Sequence, residues 1–163
     1  MTHQIIDNYL SDKIFKDLQT SIVWNHTFPW YFCTTVSGVE EEIDAYYGTH
    51  MIYDKGKPLS NFYNKLVPIV NLLPNFRALI RIKANFYPRT ESIYEHGSHT
   101  DYDFKHNGAI LYLNTCDGFT RLENNIKINS IENRLLLFDS SRKHNSSTTT
   151  NKSGRFNINI NYL

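Results

Sequence analysis

The stretch that decides the fold runs Ala109-Ile-Leu-Tyr-Leu-Asn-Thr-Cys-Asp-Gly-Phe-Thr-Arg-Leu-Glu-Asn-Asn-Ile-Lys-Ile-Asn-Ser-Ile-Glu-Asn-Arg-Leu-Leu-Leu-Phe-Asp139. It holds four short runs, Ala109–Asn114, Phe119–Leu122, Ile126–Ile131 and Arg134–Asp139, with turn signals at Asp117-Gly118 and Glu132-Asn133. Runs this short, rich in apolar and aromatic residues and bounded by Asn, Asp and Gly, read as strands. Ala78–Phe86 upstream and Arg155–Tyr162 downstream, the latter after a Ser153-Gly154 turn, read the same way. Six short strands in succession, with helical patterns only before them, predict a mainly-β sandwich or jelly-roll barrel with supporting N-terminal helices on one face.

The first half supplies those helices. Ser11-Asp-Lys-Ile-Phe-Lys-Asp-Leu18 reads as an N-capped amphipathic helix with Ile14, Phe15 and Leu18 on one face. Asn61–Leu73 places Phe62, Leu66, Ile69 and Leu73 at helical spacing, and Pro68 must kink or shorten it. Ile22–Thr27 and Trp30–Val36 read as strands broken at Pro29, and Val39–Pro58 as a long loop with a helical turn. Ser146–Asn151 reads as a solvated loop.

Composition agrees. The chain has 163 residues, enough for one domain with a buried core, and only 4 Ala against 34 Ile, Val and Thr and 23 aromatics. The expectation is a single domain over 1–163, with helices and flanking strands in 1–77 and the β core in 78–163. A net charge of +1 with 20% charged residues speaks against a polybasic nucleic-acid module and an acidic disordered tail. Cys33 and Cys116 have no framework spacing, which favours a reducing compartment. Met1–Asp7 lacks the pattern of a secretory leader, and no apolar run would span a bilayer, so a cytoplasmic location without membrane contact is expected. The 18 Asn read as compositional bias.

Three groups at strand ends could carry chemistry. In His99-Thr100-Asp101 an extended backbone points residues i and i+2 to one face, so both could reach one metal; a surface turn is the alternative. His144 follows an apolar strand and is either a loop residue or the second histidine of a two-histidine, one-carboxylate set. Arg155 opens the last strand with Asn157 on its face, either as a solvated edge residue or as a fork for a carboxylate.

In that order His99-x-Asp101, His144 and Arg155 resemble the Fe(II)- and 2-oxoglutarate-dependent oxygenases, whose fold is the double-stranded β-helix. Asn85-Phe-Tyr-Pro88, Ile110–Asn114, Gly118–Leu122 and Arg134–Phe138 are similar to the prolyl-4-hydroxylase branch, which includes hypoxia-inducible and short bacterial and phage-encoded enzymes. Arg81-Ile-Lys-Ala-Asn-Phe-Tyr-Pro-Arg-Thr90 looks most like the phage-encoded members, which would place the chain in a host-cell cytoplasm. The resemblance covers about Leu79 to Tyr162.

It implies that His99, Asp101 and His144 ligate Fe(II) and act as the catalytic centre. It implies that 2-oxoglutarate chelates the metal while Arg155, with Tyr87 and Asn157 beside it, holds the distal carboxylate. O2 is the co-substrate and ascorbate an optional reductant. The implied reaction hydroxylates a C–H bond, a prolyl residue in a peptide or protein, and releases succinate and CO2. A free amino acid, a nucleic-acid base or a non-catalytic β-sandwich binding module remain the alternatives, nucleic acid being disfavoured by charge. His96 and His106 are expected outside the ligand set. Tyr94 and Glu95 read as a lid over the substrate, and Trp30–Tyr53 as a source of substrate contacts. Two departures stand out: the hypoxia-type enzymes have a second Tyr where this chain aligns Leu111, with Tyr112 expected on the other face, and a Trp where it has Asn161.

Overall fold

The computed structural model describes residues 3–36 and 46–163. Its elements are β1 (Gln4–Ile6), α1 (Asp12–Ile22), β2 (Tyr31–Cys33), β3 (Tyr47–Asp54), β4 (Lys57–Pro58), α2 (Tyr63–Val70), β5 (Leu79–Pro88), β6 (Asn107–Tyr112), β7 (Phe119–Leu122), β8 (Ile126–Asn129), β9 (Leu135–Asp139), β10 (His144–Ser146) and β11 (Gly154–Tyr162). The strands form two antiparallel sheets. The larger is ordered β1-β9-β6-β11-β5-β3-β2, with β4 on β3, and the smaller is β10-β7-β8. This is the expected mainly-β jelly roll with N-terminal helices.

Strand alternation gives the large sheet two different faces. On one, Ile82 and Ala84 of β5, Ala109 and Leu111 of β6, Leu135 and Leu137 of β9 and Ile158 and Ile160 of β11 share a core with Phe15, Leu18 and Ile22 of α1 and Leu66, Ile69 and Val70 of α2. On the other, Ile110, Tyr112, Leu136 and Phe138 form a second, smaller core with Ile128 of the small sheet. The rest of that inner face is polar. Pairing of β11 with β5 sets Arg155 opposite Tyr87, Asn157 opposite Asn85, Asn159 opposite Lys83 and Asn161 opposite Arg81.

Several expectations need correction. Ile22 closes α1 instead of opening a strand, because it is 1% exposed on the helix face that also buries Phe15 and Leu18. Ile14, placed on that face from the sequence, is 40% exposed. Within Val39–Pro58, Tyr47–Asp54 is a strand, drawn out of the loop reading by its pairing with β5; residues 39–45 lie outside the described part. β1 and β10 were not anticipated, and β10 turns part of the Ser146–Asn151 loop into buried structure. Pro68 lies inside α2, which spans Tyr63–Val70 and not the full Asn61–Leu73.

Left-handed backbone gives part of the Asn content a physical role. Asn8, Asn75, Asn124, Asn125 and Asn133 have φ between 52° and 65°, where a short polar side chain is better tolerated than most. Asn133 also ties the segment before α1 to the turn between β8 and β9: its amide donates to the Leu10 carbonyl, and its oxygen accepts from the Leu10 N–H at 2.9 Å.

Candidate metal centre

His99 and His144 are brought together by the backbone. Each donates its amide to the other's carbonyl, at 3.0 and 2.9 Å, in an isolated antiparallel bridge. Asp101 follows two residues later on the same face. The ligand atoms of His99, Asp101 and His144 all lie within 4.8 Å of one another, and Asp101 Oδ2 is 3.8 Å from His144 Nε2.

Proton placement in this set follows from its neighbours. His99 Nδ1 lies 3.2 Å from the Gly97 carbonyl and His144 Nδ1 3.0 Å from that of Arg142. A carbonyl only accepts, so both Nδ1 atoms carry hydrogen, and Nε2 is the ring atom each histidine has left to offer a cation. Burial pushes the His144 imidazole down, favouring the neutral form that can ligate.

Asp101 is held from several sides. Arg81 Nη2 donates to Oδ1 at 2.6 Å, while Asn161 Nδ2 at 2.8 Å and the Ser140 hydroxyl donate to Oδ2. Burial alone would raise its carboxyl, but Arg81 first, then His144, Ser140 and Asn161, outweigh it and hold the group far below the usual carboxylate range. Two imidazoles and one ionised carboxylate on one face suit a divalent transition metal with open positions.

Next to this set lies a second built feature. Arg155 is fully buried, with its guanidinium carbon 5.2 Å from the Tyr87 ring centre and 5.5 Å from that of Tyr112. It donates to Thr120 Oγ1 at 2.8 Å and to the Ser147 carbonyl at 3.2 Å, while its Nε has no partner. No Asp or Glu among the described residues pairs with it. A buried cation in that state calls for an anionic ligand. Tyr87, Thr120 and Asn157 line one cavity with His99, Asp101 and His144.

All six sequence-named residues thus converge. Tyr112 does not stand on the far face as expected: the β6 register turns Leu111 to the helices and Tyr112 inward, its hydroxyl donating to Thr120 Oγ1 at 2.8 Å. Lys83, Asn85 and Asn159 also line the cavity and went unnoticed, because only strand register reveals their face. His96 and His106 are buried outside the ligand set, each with Nδ1 at a backbone carbonyl. The segment read as a lid is fastened: Glu95 accepts from Arg121 Nε and Nη2 at 2.6 Å each, and the Thr148 amide donates to the Tyr94 carbonyl.

No protein-family model matches the chain, and no curated protein sequence matches it. Solved structures do match over nearly its whole length. A prolyl-4-hydroxylase of Pseudomonas putida aligns with a TM-score of 0.65 at 14% identity, covering 98% of this chain and 91% of that one. A prolyl hydroxylase of Trichoplax adhaerens, in complex with a hypoxia-inducible-factor degradation-domain peptide, aligns at 0.61 and 20% identity over 99% and 83%. The non-haem α-ketoglutarate-dependent epimerase SnoN of nogalamycin biosynthesis aligns at 0.67 and 9% identity over 99% and 78%. These likenesses establish the fold: it is the jelly roll on which such oxygenases are built. Neighbours with different reactions share it, so the chemistry must be argued from the site.

Proposed function

We propose that this chain is an Fe(II)- and 2-oxoglutarate-dependent dioxygenase that hydroxylates a C–H bond, with a prolyl residue in a peptide or protein as its substrate. The observation that carries the reading is the pairing of two features in one cavity. One is a two-histidine, one-carboxylate set with free Nε2 atoms; the other is a buried Arg155 with no carboxylate of its own.

His99, Asp101 and His144 would hold the metal. Arg155 would receive the distal carboxylate of 2-oxoglutarate in a charge-assisted pair, with Tyr87, Tyr112 and Thr120 packed around it and Asn157 at the cavity wall. When bound, the metal would supply the means of activating O2, which is the oxidant, while 2-oxoglutarate gives two electrons and leaves as succinate and CO2; ascorbate would serve as a reductant. The chain's own part is geometric: the two carbonyl-held imidazoles and the clamped Asp101 fix the ligands before the metal arrives. Resemblances at a prolyl hydroxylase and at a peptide-bound relative support the peptide substrate. No helix among the described residues is long and apolar enough to cross a membrane, and a cytoplasmic setting is part of the proposal. The phage-encoded affinity rests on the wording of Arg81–Thr90.

The test is incubation with Fe(II), 2-oxoglutarate, O2 and prolyl peptides, with succinate and peptide mass both measured. One succinate per added oxygen atom supports the reading. Absence of succinate both with and without peptide contradicts it.

A further inference from the structure

Among the described residues the inner wall of the roll carries three cations, Arg81, Lys83 and Arg155, and Asp101 is the carboxylate they share it with. Arg81 is committed to Asp101 at 2.6 Å, and Arg155 to the cosubstrate under the reading above. Lys83 is left over. Its ammonium reaches the Tyr47 hydroxyl only at 3.4 Å and lies 5.5 Å from the centre of the Tyr47 ring; no Asp or Glu among the described residues pairs with it. With Arg81 answered by Asp101 and Arg155 by the cosubstrate, no anionic group among the described residues is left for this ammonium.

Two acceptors stand beside it. Asn159 is the cross-strand partner of Lys83, and Asn85 is two residues along the same strand. Both side chains are buried, at 7% and 3% exposed, and both Oδ1 atoms lack a donor. For Asn159 the carboxylate at the other end of the amide, which can only accept, fixes the orientation. Asn159 Nδ2 donates to Asp101 Oδ2 at 3.3 Å, and Asn85 Nδ2 donates to Asn157 Oδ1 at 3.0 Å, so the oxygens are what remain free. Lys83, Asn85 and Asn159 line the same cavity as the metal set.

We propose, resting on the oxygenase reading, that the substrate carries a carboxylate that pairs with Lys83 and N–H groups that donate to Asn85 and Asn159. A single ammonium matches a single carboxylate; a phosphate is better served by several donors or an arginine fork. The carboxylate can belong to an amino acid itself or to an acidic side chain next to the target residue of a peptide. A wholly apolar substrate would leave an ammonium and two amide oxygens buried and unanswered.

Titration calorimetry on the protein loaded with Zn(II) and 2-oxoglutarate, where no oxidation occurs, tests this with two pairs of probes. They are L-proline against L-prolinamide, and acetyl-Glu-Pro-amide against acetyl-Gln-Pro-amide. The carboxylate-bearing member of at least one pair is expected to bind roughly tenfold tighter or better, the size of one charge-assisted bond. That advantage should vanish in Lys83→Met and survive in part in Lys83→Arg. A preference in the first pair assigns the carboxylate to an amino acid, and one in the second to a side chain. Equal binding within both pairs, or a full preference retained by Lys83→Met, overturns the proposal. Equality in the wild type decides even if the variants do not fold. Failure of the oxygenase reading is separate: it shows in the wild type as no succinate formation with Fe(II), whatever these titrations give.

Discussion

Asp101, a proposed metal ligand, is already held by other groups of the chain. Its carboxylate already accepts from Arg81, Asn161 and Ser140, so the site is rigid before any metal binds, and its negative charge is answered from within the chain. Both partners of the Arg81–Asp101 pair are largely buried. Removing one should leave the other uncompensated, so Arg81→Met is expected to cost the metal-free protein about 3–5 kcal/mol in urea unfolding. With Zn(II) present the loss should shrink, because the cation takes over the neutralisation. Arg155→Ala is expected to raise the 2-oxoglutarate requirement at least about tenfold, the weight of one charge-assisted bond, in succinate-formation assays. An unchanged requirement would remove Arg155 from the proposed role.

At this scale the sequence was informative where chemistry depends on residue order. His99-x-Asp101, His144, Arg155 and Tyr87 could be named because their succession carries a resemblance. Tyr112, Lys83, Asn85 and Asn159 could not, since their part depends on which face of a strand they occupy. A shift of one residue in register would turn all of them outward.

Elements hold the site through close backbone approach. A Cβ added at Gly118, at the turn into β7, would lie 2.5 Å from the Thr148 carbonyl oxygen and 2.7 Å from Arg155 Cδ. The carbonyl belongs to backbone and cannot swing away, so Gly118→Ala should displace the Arg155 side chain. The expected result is weaker 2-oxoglutarate binding by calorimetry while Zn(II) binding changes little. Beside it, Asp117 ties the β6–β7 turn to the β10–β11 loop. Its carboxylate accepts from the Thr149 hydroxyl at 2.6 Å, the Thr150 amide at 2.9 Å and the Thr150 hydroxyl. Burial pulls its carboxyl up, but these hydrogen bonds prevail and bring it from 3.8 to about 2. A depressed carboxyl stabilises the fold above its ordinary value and loses that contribution as pH falls through about 2. Thermal unfolding of Asp117→Asn should therefore show less dependence on pH across that interval than the wild type.

The element readings that failed share a cause. Ile22–Thr27 looks like a strand by composition, yet Ile22 completes the apolar face of α1 and tertiary burial prevails. Tyr47–Asp54 looks like a loop beside Lys55-Gly56, yet its long antiparallel pairing with β5 makes it a strand. Local pattern cannot express a partner that lies thirty or more residues away.

For the molecule as a whole, the two faces of the large sheet divide labour. The helix side is an apolar core sealed by Leu66 and Ile69, both fully buried, and the inner side is a polar cavity walled by β5 and β11. Stability and chemistry should be separable. Leu66→Ala is expected to cost about 2–5 kcal/mol of unfolding free energy while the folded protein keeps its affinity for Zn(II). This division was legible at the level of fold class, because short alternating strands and amphipathic helices can bury their apolar sides in few ways.

His99, Asp101 and His144 are proposed to form one metal centre that also binds 2-oxoglutarate. Its most direct test is the visible absorption of the protein mixed anaerobically with Fe(II) and 2-oxoglutarate. A weak charge-transfer band at one equivalent of iron, absent in Asp101→Ala, is the predicted result. No band in the wild type, or the same band in Asp101→Ala, would contradict the account.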